Sequence, residues 1–374
     1  MIVGIPKEIK NNEFRSGMIP AGVEALVNAG HKVYVQKDAG LASAITDTEY
    51  EQAGAKVYAT AKAIYEKADM IIKVKEPLAP EYPMLQPGQV VFTYFHFASS
   101  RELTESVLAR KIIAVAYETI QLPDGTLPLL TPMSEVAGRL AVVEGAKYLE
   151  KPFSGRGLLL SGVPGVAPAE VIIIGGGVVG KSAAKIAAGL GANVTILDIN
   201  IDRLRQLEDI MPKNVVTVHS NAHNLRVAVK LADILIGAVL IPGAKAPVLV
   251  TKQMVNTMKK GAVIVDVSVD QGGCIETCHP TTHGDPTFIV NGVIHYCVAN
   301  MPGAVPRTST FALSNSTIPY MLALANKGYK QAMLDDPALL KGLNMINGKL
   351  TIKQVADTFG LEYIPRDRAL KQSD

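Results

Sequence analysis

Cysteine is scarce in this 374-residue chain: only Cys274, Cys278 and Cys297 are present. Neither sign of charge dominates, with 37 Lys and Arg against 34 Asp and Glu and a net charge of +3. Three thiols are too few for a disulfide scaffold, and an odd number fits cysteines kept reduced in a cytoplasm. So small a surplus of charge gives no grip on nucleic acid or on an anionic membrane. Long hydrophobic runs are missing as well. The most apolar stretch, residues 157–180, is interrupted by Pro164, Pro168 and Glu170. It falls short of the ~20 uninterrupted apolar residues of a membrane helix. The opening Met1-Ile2-Val3-Gly4-Ile5-Pro6-Lys7-Glu8 carries charge where a secretory signal needs its apolar stretch. No internal repeat is visible. These absences lead to the expectation of a soluble, cytoplasmic protein.

What is there suits two domains, at about 150 residues each. Short β-branched runs alternate with Ala-rich helical stretches. Strands are expected at Ile2–Ile5, Lys32–Gln36, Met70–Val74 and Ile112–Ala116, with helices at 21–29, 61–67 and Arg101–Arg110. That order predicts a mostly parallel α/β sheet covered on both faces. Pro123-Asp124-Gly125 is a turn signal, and Pro128 and Pro132 are expected to break any regular element nearby. A long helix follows over 134–149, then a Gly/Pro-rich connector (161–168) into a strand at Val171–Ile174. Further apolar strands are expected at 193–197, 214–218, Ile234–Gly237 and 263–267, then a helix over 309–326 and a polar, Lys-rich tail. Proline clusters at 123–132 and 302–306 bracket the central block. The expected architecture is therefore two doubly wound α/β domains, with residues 133–305 as a Rossmann domain inserted into a discontinuous one made of 1–132 and 306–374.

The sharpest motif is Gly175-Gly176-Gly177-Val178-Val179-Gly180, a G-x-G-x-x-G run that follows a strand and opens a helix. Gly175 permits the tight turn, Gly177 lets a pyrophosphate approach the backbone, and Gly180 lets helix and strand pack closely. The helix N-terminus offers free N–H groups and a positive dipole end to phosphate. The next strand ends in Asp198, about 20 residues on, placed to accept hydrogen bonds from the adenosine ribose hydroxyls. A 2′-phosphate there would meet a carboxylate, so the expected cofactor is NAD and not NADP. Arg203, on the helix after Asp198, is either a cover for the adenine or an ordinary solvated residue.

A small-molecule substrate needs groups that orient it and move protons. Arg15 lies in the loop after the first strand, Lys73 and Lys75 alternate at the end of a later one, and His96 closes the run Val90–His96. Ligands of open α/β sheets bind beyond the carboxyl ends of strands, where these side chains emerge, and the planar fork of arginine suits a carboxylate. Solvated loop cations and a rim histidine are the ordinary alternatives. Asp270 follows a buried strand in Val267-Ser268-Val269-Asp270-Gln271-Gly272-Gly273, as an acid/base group or as plain turn chemistry. Cys274, Cys278, His279 and His283 are zinc-ligand types, but Pro280 interrupts them and the usual spacer is missing; His219 and His223 lack the accompanying Glu. No metal is expected.

Taken together, the sequence resembles the alanine dehydrogenase family nearly from end to end, with some stretches shared with the nucleotide-binding part of transhydrogenase. The resemblance rests on Gly4–Lys10, Lys73-Val74-Lys75-Glu76-Pro77, Thr93-Tyr94-Phe95-His96, Tyr117-Glu118-Thr119, Leu130–Ser134, the glycine run, Val267–Gly273 and Asn300-Met301-Pro302-Gly303. It implies that Arg15 and Lys75 hold substrate carboxylate and carbonyl oxygen, and that His96 and Asp270 are the proton-transfer pair. Tyr94, Leu130, Met133, Asn300 and Met301 would line the pocket. NAD contacts would fall on Ser134, Val178, Val179, Asp198, Arg203, Ser220, Val239, Leu240, Val267, Asp270, Val298, Asn300 and Met301. It further implies oxidative deamination of L-alanine to pyruvate and ammonium, cleft closure between the domains, and a homohexamer. Ser16-Gly17-Met18 departs from the more apolar residues expected after the arginine, which leaves that loop's packing open. Ala323 and Lys327 stand where some relatives are said to place metal ligands, so no metal is carried over. Two alternatives stay open: an opine- or saccharopine-type dehydrogenase, and an NAD(H)-binding transhydrogenase subunit. The pairing of His96 with Asp270 weighs against the second.

Overall fold

The computed structural model describes residues 1–239 and 246–372, which divide into two compact units, Met1–Met133 with Val305–Asp374, and Ser134–Ala304. The first unit is built on an eight-stranded sheet. Its six N-terminal strands, Ile2–Ile5, Lys32–Gln36, Lys56–Tyr58, Met70–Ile72, Val90–Thr93 and Ile113–Ala116, are all parallel. Ile2–Ile5 lies between Lys32–Gln36 and Met70–Ile72, so the chain winds outward in both directions from it. The strand order therefore reverses at the seam between Ile2–Ile5 and Met70–Ile72.

The tail expected to be merely polar returns to this sheet. Leu343–Ile346 pairs antiparallel with Ile113–Ala116, and Lys349–Leu350 closes the edge. Met345, Leu350, Val355 and Ala356 join the core formed by Ile71, Val91 and Ala114. The lysines between them hid apolar positions spaced for two short strands and the seven-residue helix Lys353–Phe359. The helix expected over 309–326 runs from Pro306 to Asp335, interrupted at Gly328, whose φ of 71° only glycine adopts cheaply.

Two further expectations need correction. The strand expected at 70–74 stops at Ile72. The N–H groups of Val74 and Lys75 donate instead to Glu8 Oε1, at 2.6 and 3.3 Å. The long helix begins at Thr131, not 134. Pro132 does not break it, because a first-turn proline lacks only an N–H that the helix would leave unpaired anyway.

The second unit holds a seven-stranded sheet ordered Thr287–Val290, Val293–Tyr296, Val263–Asp266, Ile234–Gly237, Glu170–Ile174, Asn193–Asp198 and Val215–His219. All pairs are parallel except the first, a hairpin that sequence reading missed. Asn291 and Gly292 supply its two positive φ angles, 53° and 80°, as a two-residue hairpin turn needs. The order reverses between Glu170–Ile174 and Ile234–Gly237. Residues 171–174 and 234–236 are no more than 2% exposed, as expected of strands covered on both faces. No helix among the described residues is long and apolar enough to cross a membrane.

Candidate functional site

In the first unit, Arg15 and Lys75 follow the two strands that flank the seam, and His96 follows the adjacent strand Val90–Thr93. The loop after Arg15 packs without the apolar residues expected there. Gly17 passes so close to the strand end that a Cβ would sit 2.7 Å from the Ile72 carbonyl oxygen. Ser16 is buried but satisfied, its N–H donating to Thr310 Oγ1 at 3.1 Å and its hydroxyl 2.9 Å from that of Tyr50.

Arg15 is only 3% exposed, and its charge is met by Glu13, which sequence reading passed over. Arg15 Nε donates to Glu13 Oε1 at 2.7 Å and Nη2 to Oε2 at 2.6 Å, while the remaining nitrogen, Nη1, lies 3.1 Å from Met133 Sδ. Burial pushes the Glu13 carboxyl up, but the hydrogen bonds and charge of Arg15 prevail and bring it down to about 2. Lys75 is held below the usual lysine range by burial first, then by the positive charges of Arg15 and Lys10.

Lys73 and Lys75 do not share a strand face, since the strand has ended before either. Lys73 is fully buried, donating to Glu8 Oε2 at 3.1 Å and Glu81 Oε1 at 2.8 Å. Burial alone would lower its pKa, but the two carboxylates raise it. Lys73 is thus a structural cation whose partner Glu8 also holds the backbone of Lys75.

His96 takes a left-handed conformation, φ 50°, stabilised because its N–H donates to Glu118 Oε1 at 2.7 Å. Its side chain is 44% exposed, and Nδ1 lies 4.0 Å from the same oxygen. The Tyr94 ring runs nearly parallel to the imidazole, and its hydroxyl donates to the Leu129 carbonyl at 2.5 Å, next to Leu130. Burial raises the Tyr94 pKa, so this phenol stays protonated.

In the second unit the glycine run leaves its strand at the point of reversal. Gly177 precedes the helix Val178–Gly189 and brings no side chain to its free N–H groups. A Cβ on Gly177 would face open space, whereas one on Gly180 would lie 1.9 Å from the Gly175 carbonyl oxygen. Gly180 therefore closes the turn, and Gly177 leaves it approachable. Asp198 ends the next strand, accepting from Gly176 N at 2.6 Å and Asn200 N at 2.8 Å. Two carboxylate oxygens have lone pairs to spare for a diol. Arg203 Nε donates to the Gly176 carbonyl at 2.6 Å, so this residue braces the turn and is not simply solvated. These features fit the adenosine and pyrophosphate of NAD.

Ser220 N–H donates to the Asp198 carbonyl at 2.9 Å, and Val239 N–H to Ser268 Oγ at 2.9 Å. Asp270 is exposed in the tight turn Val267–Gln271 and accepts from Asn300 N at 3.3 Å. That turn rests on Asp266, which sequence reading also passed over. Its carboxylate accepts from the N–H groups of Ser268 and Cys274, at 2.9 and 3.0 Å, and burial raises its pKa to about 6. Val298 and Met301 are buried, Ser134 is half-buried near the start of its helix, and Leu240 lies outside the described residues. Among the described residues no group of three or more His, Cys, Asp or Glu is arranged to hold a metal ion. Cys274 packs against Asp266, and His283 Nε2 lies 3.2 Å from the Asn300 carbonyl. A concavity of about 400 Å³ lined by Lys151, Arg156 and Lys260 includes none of these residues.

Comparison with known proteins gives matches over both halves. Residues 4–137 match the alanine dehydrogenase/PNT N-terminal domain, and residues 141–353 the alanine dehydrogenase/PNT C-terminal domain. The chain is 60% identical over 373 residues to the alanine dehydrogenase of Methanococcus maripaludis, covering 100% of both. It is 54% identical to that of Geobacillus stearothermophilus, covering 97% of this chain and 98% of the relative. Among solved structures, an L-alanine dehydrogenase superposes with a TM-score of 0.93 at 53% identity, covering 96% of this chain and 99% of the other. A transhydrogenase from Sinorhizobium meliloti gives a TM-score of 0.81 at 26% identity, covering 94% of this chain and 100% of the other.

Proposed function

Because the chain belongs to the alanine dehydrogenase/PNT family, we propose that it interconverts L-alanine, NAD+ and water with pyruvate, ammonium and NADH. Full-length identity of 60% to an alanine dehydrogenase carries this reading. The unit Met1–Met133 with Val305–Asp374 binds the amino acid, and Ser134–Ala304 binds the dinucleotide. The working form is a cytoplasmic homohexamer, which light scattering tests.

The substrate carboxylate lies on Arg15, on the Nη1 side away from Glu13, with Tyr94, Leu130 and Met133 against the small side chain. Bound NAD supplies the hydride acceptor. The substrate amine must be unprotonated, because an ammonium has no lone pair to assist loss of hydride from Cα. His96, exposed at a fixed backbone position, takes and returns protons as water adds to the resulting imine, with Asp270 as its partner. Lys75 stabilises negative charge on the substrate oxygen as ammonia leaves. Asn300 and Met301 are assigned to substrate binding within the dinucleotide-binding unit, where the Asn300 N–H donates to Asp270.

The test is NADH oxidation with pyruvate and ammonium, which is expected to be rapid, while pyruvate with an amino acid in place of ammonium gives no turnover. The reverse pattern would indicate a coupling dehydrogenase. In the same assay NADPH is expected to be at least about 100-fold poorer, the cost of setting a phosphate against Asp198. Asp198→Ala narrows that gap by tenfold or more. Equal use of both cofactors by the unaltered protein would contradict the role of Asp198.

A further inference from the structure

Glu13 is an unusual neighbour for a residue that must capture an anion. It is buried, and it occupies a whole edge of the Arg15 guanidinium, Nε and Nη2, at 2.7 and 2.6 Å. It also takes the Arg15 backbone N–H on Oε1 at 3.1 Å, so both ends of the arginine are tied to one carboxylate. A guanidinium held at its backbone and along one edge has little rotational freedom left.

The surrounding charges are closely balanced. Lys73 is engaged by Glu8 and Glu81, and Lys10 by Glu76. Arg15 is paired with Glu13, and Lys75 lies within electrostatic reach of both. Four cations, Lys10, Arg15, Lys73 and Lys75, thus face four carboxylates, Glu8, Glu13, Glu76 and Glu81. One incoming carboxylate can use Arg15 and Lys75. A second would be desolvated among carboxylates with none of these four cations left to meet it, which is strongly unfavourable.

We propose that Glu13 is a positioning and specificity-determining residue: it fixes which edge of Arg15 meets the substrate and limits the positive charge there, so that amino acids bearing a second carboxylate are excluded. This deepens the reading of Arg15 as the residue that binds substrate carboxylate, and rests on it.

The experiment compares L-alanine with L-aspartate as substrates for the unaltered protein, Glu13→Gln and Glu13→Asp, with NADH binding and thermal unfolding measured alongside. Glu13→Gln is expected to lower kcat/KM for L-alanine at least about tenfold, mainly through KM. It raises the aspartate-to-alanine ratio of kcat/KM by about tenfold or more. Glu13→Asp keeps the charge but not the two-point geometry, so it loses efficiency with L-alanine while its ratio stays that of the unaltered protein. An unchanged ratio in Glu13→Gln would overturn the proposal. If that variant fails to fold, Glu13→Asp decides: kinetics indistinguishable from the unaltered protein, or a raised ratio, would overturn it. An unaltered protein that turns over no L-alanine at all would instead defeat the functional reading.

Discussion

Replacing His96 by asparagine is expected to lower kcat by about 10³-fold, within the range for loss of a general acid–base, while NADH affinity and thermal stability stay as they were. Asparagine is the informative choice, because it tolerates the left-handed conformation at φ 50° and keeps the N–H that Glu118 accepts. Since the imidazole is 44% exposed, its removal opens no core cavity. What is lost is a ring nitrogen able to take and return a proton. Steady-state kinetics and a fluorescence titration with NADH read the two effects separately. Turnover and NADH binding falling together would mean that the substitution had damaged the fold, and full activity would remove His96 from the mechanism.

Lys73→Met tests a different layer. It leaves the Glu8 and Glu81 carboxylates, 8% and 2% exposed, facing one another without their shared cation. Losing one partner of a buried ionic group costs about 3–5 kcal/mol, and for a unit of this size that is roughly a 10 °C fall in melting temperature. The pH dependence has a definite sign. Burial already raises the Glu8 carboxyl against the opposing pull of Lys73. Without Lys73 that carboxyl holds its proton still more tightly in the folded chain than in the unfolded one, so the deficit grows as pH rises from 5 to 8. Urea unfolding at several pH values reads this directly. A deficit below about 1 kcal/mol at pH 8 would show that the network contributes little. Glu8 also accepts the Val74 and Lys75 N–H groups, so catalytic efficiency is expected to fall with stability.

Much of the architecture was readable from the chain. Continuous apolar runs such as Val171–Ile174 and Val263–Asp266 leave few options besides strands covered on both faces, and the structure places them so. The glycine run announced its turn because each glycine meets a separate steric demand. Other features carried no periodic signal. The C-terminal strands are too short to show alternation, whereas the hairpin 287–296 was legible in Asn291-Gly292 between two apolar runs and was overlooked. At the candidate site, Arg15, Lys75 and His96 were noticeable as chemistry-bearing residues at strand ends. Glu13, Glu118 and Asp266 were not, since a carboxylate near an arginine or a histidine in sequence gives no sign that it will be buried against it. The two lysines at 73 and 75 look equivalent in the chain; only three-dimensional packing gives one to Glu8 and Glu81 and leaves the other at the site.

The most direct test of hydride transfer from alanine follows the substrate's own hydrogen. With L-alanine deuterated at Cα and unlabelled NAD+ in ordinary water, the NADH formed is expected to carry one deuterium on its nicotinamide ring, with pyruvate accumulating in equal amount. NADH free of deuterium, with the label released to solvent, would contradict it.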